Sequence, residues 1–214
     1  MRSLFQARLP STQKMLKFDS MNLNFKSLII LIAGVVFSSG SIKADAPADA
    51  TAFALVKEGN RHVGEDAKDR VVQIRSEKSV GSLVPNVWYI VYYDPDATAK
   101  ATEVKFGAGK KLSVKRPARI LEFATGNTEI PKDKLKIDSD KAISIAKKEP
   151  LLNNLTLTAT ELKLERWSSE PVWKVRFWAA KLRKPSDTAN LGEVFVNATT
   201  GEVVKNDLHI SRVD

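Results

Sequence analysis

Two histidines and no cysteine limit the chemistry open to this chain. His62 and His209 do not belong to H-E-x-x-H or to another metal-ligand spacing, and a Cys–His zinc set is impossible without cysteine. No G-x-S-x-G elbow marks an activated serine. The "GAGKK" of residues 107–111 lacks the G-x-x-x-x-G-K-[ST] spacing that cradles phosphate. Asp94, Asp96 and Glu103 could pair as acid and base, although carboxylates in loops of this composition usually serve to turn the chain. With no nucleophile–base pair and no ligand cluster, the sequence reads as non-enzymatic, without cofactor or metal.

The remaining chemistry is recognition. Trp88, Tyr89, Tyr92, Tyr93, Trp167, Trp173 and Trp178 gather on segments with strand patterning. In residues 172–178, Trp173, Val175 and Phe177 share one face and Lys174 and Arg176 the other, the period-2 pattern of a half-buried strand. Trp178, in register with the two basic residues, faces outward. Lys163, Lys174, Arg176 and Trp178 therefore form a candidate partner-binding set, suited to an acidic protein or an anionic envelope polymer. The competing reading is cross-strand ion pairing with Glu161 and Glu165 on a solvated face. For Trp178 it is a rim residue covering the sheet.

The elements that carry these residues repeat loosely. "NVWYIVYYDPD" resembles "PVWKVRFWAAK", and "EVKFGAGKKLSV" resembles "EVFVNATTGEVV". A helix candidate precedes each pair. In "DSDKAISIAKKEP", Asp138 or Ser139 caps the start, Asp140 sits in the first turn, Ala142, Ile145 and Ala146 recur at helical spacing, and Pro150 stops the helix. In "DATAFALVKEGN", Phe53, Val56 and the flanking alanines form the apolar face, and Gly59-Asn60 ends it. "DRVVQIRS" and "LTLTATELKLERW" are the strands that follow, with Leu162 and Leu164 alternating with Lys163 and Glu165. The last hairpin places Asn197 and Gly201 for positive φ. Each half thus reads as a helix covering three or four antiparallel strands, an α+β arrangement. Residues 115–137 connect the halves, and "ARILEF" within them reads as a short packed element.

The N-terminal part belongs to export rather than to the fold. In residues 21–46, Lys26 precedes an apolar run of ten residues, Leu28 to Phe37, followed by small residues and Ala44-Asp45-Ala46. That order is a secretory signal peptide. The run is half the roughly 20 residues of a spanning helix, so no stable membrane anchor is expected. Met21 is a natural start for such a signal; the alternative is an extended n-region from Met1. No cysteine follows the run to carry a lipid. Residues 1–44 hold six of the 34 basic and one of the 25 acidic side chains, leaving 28 against 24, a net charge of +4. An exported chain with so small an excess is not expected to bind nucleic acid. About 170 residues remain after cleavage, enough to bury a core without disulfides.

"KAISIAKKEP", "VWKVRFW" and "GEVFVNATTGEVVK" in that order resemble the PepSY domain. Ala142, Ile143 and Ala146 match its helix, Trp173 and Val175 its middle strand, and Val196, Asn197, Ala198, Thr200, Gly201, Glu202 and Val203 its closing hairpin, with Asn197 where an aspartate is common. The match covers residues 138–205. Residues 49–116 resemble a degenerate second copy, with "GAGKK" at the turn. The resemblance implies two cystatin-like helix-plus-sheet repeats, a periplasmic or secreted location, and regulation or inhibition of a peptidase without catalytic residues of its own. The expected organisation is an extension and signal over 1–46, a degenerate repeat over 47–116, a connector over 117–137 and the clearer domain over 138–214. The other function open to this sequence is a structural or accessory envelope protein that binds an anionic polymer or a membrane complex.

Overall fold

Eight strands form one antiparallel sheet in the computed structural model of the protein, which describes residues 50–117 and 129–214. The chain runs α1 (Ala52–Gly59), β1 (Val71–Ser76), β2 (Val87–Tyr93), β3 (Ala101–Gly107) and β4 (Lys110–Lys115). It continues as α2 (Ser139–Ala146), β5 (Leu157–Trp167), β6 (Glu170–Ala180), β7 (Thr188–Asn197) and β8 (Val203–Leu208). Across the sheet the order is β4-β3-β2-β1-β5-β6-β7-β8. Two four-strand meanders therefore share one sheet and meet at β1 and β5, in the α+β class expected. The segment expected to be a signal peptide and "ARILEF" lie outside the described residues. Among the described residues no helix is long and apolar enough to cross a membrane.

The alternating pattern decides which face is covered. Trp88, Ile90 and Tyr92 on β2, Leu162 and Leu164 on β5, and Trp173, Val175 and Phe177 on β6 are buried in one core with residues of both helices. Burying a side chain of this size contributes about 1.5–3 kcal/mol. Both helices have only eight residues, too short to persist alone in water. Packing on the sheet and a shared cap hold them. The Asp138 carboxylate accepts from Ser139 N at 2.6 Å and from Phe53 N at 3.1 Å, and Ser139 Oγ accepts from Ala52 N at 3.1 Å. One anion thus lies between two helix N-termini, where both macrodipoles favour it.

Several local expectations change. The most deeply buried face of α1 is Ala52, Leu55 and Gly59; Phe53 and Val56, the expected apolar positions, pack against the same core but stay partly exposed. They lie one step around the helix, toward the connector. The α2 helix ends at Ala146, ahead of Pro150, which instead opens a 3-10 turn at Pro150–Leu152. In the last hairpin Gly201 takes the left-handed backbone at φ 80° but Asn197 does not. The Asn197 side chain accepts from Thr199 N and Thr200 N at 2.8 and 3.1 Å, closing the turn through Oδ1.

The ladder between β1 and β5 is short, with Ile74 opposite Leu164 and Arg75 opposite Lys163. Hydroxyls extend it. Leu162 N donates to Ser76 Oγ at 2.9 Å and Thr160 N to Ser79 Oγ at 2.8 Å, while Ser79 N donates to Thr160 O at 2.8 Å. Ser76, Ser79 and Thr160 are buried. The sheet edges carry Lys110, Lys111 and Lys115 on β4 and Lys205 on β8, charges that discourage edge-to-edge pairing.

Ser79→Ala leaves the Thr160 amide buried without an acceptor and is expected to cost about 1–3 kcal/mol in denaturant unfolding. Gly192 has φ 101°, and a Cβ there would stand 2.1 Å from Asp207 O, whereas one on Gly64 meets nothing within 4 Å. Gly192→Ala is expected to lose at least about 2 kcal/mol. Gly64→Ala should be neutral or gain up to about 1 kcal/mol. Equal effects at the two glycines would contradict this register.

Candidate binding surfaces

The face opposite the helices carries the residues singled out by charge. Lys105, Tyr89, Arg75, Lys163, Lys174, Phe195 and Lys205 are successive cross-strand partners from β3 to β8. Rows of this kind bring cations and rings into contact. Arg75 lies 4.0 Å and Lys105 4.9 Å from the Tyr89 ring centre, and Lys205 5.0 Å from that of Phe195. Carboxylates on the flanking rows take up the charge. Arg75 pairs with Glu103 at 2.5 Å, Lys105 with Glu77 at 3.0 Å, and Arg176 with Glu193 at 2.5 Å and Glu161 at 3.6 Å.

Lys163 and Lys174 stand directly opposite each other, an arrangement that is repulsive by itself. Glu165 resolves it, accepting Lys163 Nζ at 2.5 Å and Lys174 Nζ at 2.6 Å. Burial pushes the Glu165 carboxyl up, but the hydrogen bonds from the two lysines outweigh it and hold the group below its ordinary value. Trp178 is half-buried, with Lys78 Nζ 4.6 Å from its ring centre. The sheet thus brings Lys163, Lys174 and Arg176 together on one face and engages each with carboxylate. Trp178 shares that side beneath a lysine.

The other candidates do not converge. Asp94 is buried and accepts from Thr102 Oγ1 at 2.6 Å and Asp96 N at 3.0 Å, with Arg116 3.5 Å away, so it fastens a turn. Glu103 serves Arg75 on the outer face. His62 Nε2 lies 3.4 Å from Glu58, and His209 3.9 Å from Asp207. Among the described residues no group of three histidines or carboxylates could hold a metal. A polar depression of about 360 Å³ lies among Arg176, Asn190, Glu193, Asp207, His209 and Arg212. Arg176 is taken by Glu193, and Arg212 Nη1 donates to Asn190 O at 3.1 Å.

A cavity of about 350 Å³ lies on the helix side. Phe53, Val56, Val71 and Leu135 form its walls, and Lys57, Asn60, Asp69 and Lys132 its rim. The rim is built around Asp69, whose backbone is left-handed at φ 60°. Asn60 Nδ2 donates to Asp69 Oδ1 at 2.7 Å and Asp69 N returns a bond to Asn60 Oδ1 at 3.1 Å. Lys132 Nζ donates to Asp69 Oδ2 at 2.8 Å. These bonds, the one from Lys132 first, keep the Asp69 carboxyl below its usual range. Sequence reasoning missed this site because its parts come from α1, the turn before β1 and the connector, and form no motif. The one available signal was Phe53 and Val56, apolar positions of α1 that the core covers only in part.

Glu165→Gln is expected to cost about 1–2 kcal/mol at pH 7, after allowance for the partial exposure of both lysines. The folded carboxyl titrates below the unfolded one near about 4.3, so its contribution is complete above that value and disappears as pH falls through the folded value. The stability gap between the two proteins should therefore begin to narrow as pH falls below about 4.3 and vanish once the folded carboxyl is protonated, as read by chemical denaturation in acid. A gap that persists there would show that packing, not charge, is responsible. Compared with protein-family models, with curated proteins and with solved structures, the chain has no match.

Proposed function

We propose that the protein is an exported, non-enzymatic binding module built from two PepSY-like repeats, and that it regulates an extracytoplasmic peptidase. The observation that carries this reading is the meeting of the three motif segments in space. The Trp173 indole N–H donates to Ile137 O at 2.8 Å, and Ile137 N to Ala198 O at 2.8 Å. Thr199 Oγ1 donates to Lys134 O at 2.8 Å, and a Cβ on Gly201 would lie 3.3 Å from Ile145 Cδ1. Helix start, central tryptophan strand and T-G-E turn therefore depend on one another. The first half runs in the same order of helix and four strands, with Trp88 on its second strand as Trp173 is on β6. That likeness supports the repeat.

The partner face in this reading is the outer sheet around Lys163, Lys174, Arg176 and Trp178. Its cations exchange internal carboxylates for those of the partner, which favours a protein presenting both signs. An anionic polymer would require uncompensated cations, and these three are paired.

The test adds the purified protein to peptidase activity from an envelope extract of the source organism. Activity should change about tenfold at saturation, and Lys174→Glu with Arg176→Glu should raise the concentration needed by about tenfold or more. Unchanged peptidase activity at all concentrations would overturn the reading.

A further inference from the structure

The cavity beside α1 has a shape and charge that the regulator reading does not use. Its walls are hydrocarbon from Phe53, Val56, Val71 and Leu135, and its volume of about 350 Å³ lies within the range of small-molecule sites. Phe53, Val56 and Leu135 are only partly buried, so part of this apolar surface is wet when the site is empty, and an apolar ligand body covering it is favoured.

Charge at the rim selects the other end of the ligand. Asp69 and Lys132 neutralise each other at 2.8 Å, and Asn60 occupies the second Asp69 oxygen. Lys57 is exposed and has no ion pair among the described residues. The rim therefore has an excess of one positive charge. Lys132 spends one of three ammonium donors on Asp69, so it too can donate to an incoming anion. A cation meets a rim of net positive charge, whose one carboxylate, Asp69, already accepts Lys132 and Asn60. A sugar needs polar side chains along its whole length, whereas Phe53, Val56, Val71 and Leu135 offer it hydrocarbon. A bare phosphate leaves the hydrocarbon uncovered.

We propose that this cavity binds a small amphipathic carboxylate, its apolar body against Phe53, Val56 and Leu135 and its carboxylate at Lys57 and Lys132. The same chemistry is offered by a free acyl acid and by the carboxyl end of a peptide with an apolar last residue. The site does not depend on the protein being a peptidase regulator, since its occupancy is read by direct binding.

Isothermal titration calorimetry with decanoate, N-acetyl-leucine and decanol separates the possibilities. The tighter of the two acids should bind with Kd on the order of 100 μM and identifies the source. Decanol, which lacks the charge, should bind about tenfold more weakly than decanoate if the acyl acid is the ligand. Lys57→Ala exchanges one good helix former for another on an exposed site. It should weaken the preferred acid about fivefold and leave decanol and the unfolding temperature unchanged. The proposal is overturned if neither acid binds, or if Lys57→Ala leaves the affinity of the preferred acid unaltered.

Discussion

Where β1 stops at Ser76, pairing between the two meanders continues, because Ser76 and Ser79 present hydroxyls to the amides of Leu162 and Thr160. A ladder with two register pairs would be a weak joint for two four-strand units. The hydroxyls make it longer without requiring the chain to stay extended, and Ser79 completes its own bonding by donating to Ser82 O at 2.6 Å. Each buried amide left without such an acceptor would cost about 1–3 kcal/mol. On the helix side the same junction is secured by Asp138 and Ser139, which cap α2 and receive the first amides of α1. Sheet and helices are thus tied across the same boundary by independent sets of bonds.

Both candidate surfaces inherit their geometry from this junction. On the outer face the β1–β5 register places Arg75 beside Lys163 and so completes the row that crosses the sheet. On the inner face the shared cap orients α1, and with it Phe53, Val56 and Lys57 at the cavity wall. Phe53 also stacks on the buried Trp173 ring at a centroid distance of 6.2 Å, linking the N-terminal helix to the central strand of the other half. The two surfaces differ in electrostatic character. The outer one is a compensated lattice in which each of the predicted cations has a carboxylate, whereas the cavity rim retains one lysine without an ion-pair partner among the described residues.

Periodicity made the sheet legible. Leu162 and Leu164, and Trp173, Val175 and Phe177, alternate with charged residues and all lie in the core. The cap was readable to within one residue, Asp138 or Ser139, because both types favour that position, and it is Asp138 that takes it. Its second bond, to Phe53 N, joins residues 85 positions apart and left no local sign. The continuity of the sheet was hidden for the same reason: nothing local marks Ser76 and Ser79 as partners of β5, and only the placement of β5 turns their hydroxyls into sheet acceptors. Asn197 was assigned the wrong means to the right turn, since its side-chain oxygen does what a left-handed backbone was expected to do. The basic set was found on one face, but charge alone could not show that Glu165 separates Lys163 from Lys174.

Native-state hydrogen exchange compared between β2 and β6 tests most directly whether the two halves form one body. If the junction is as described, the amides of Ile90 and Val175 open only with the whole sheet and report the same free energy within about 1 kcal/mol. If Ile90 exchanges through an opening more than about 2 kcal/mol easier than that of Val175, the halves unfold separately. The junction would then not be the interaction on which the rest of the structure depends.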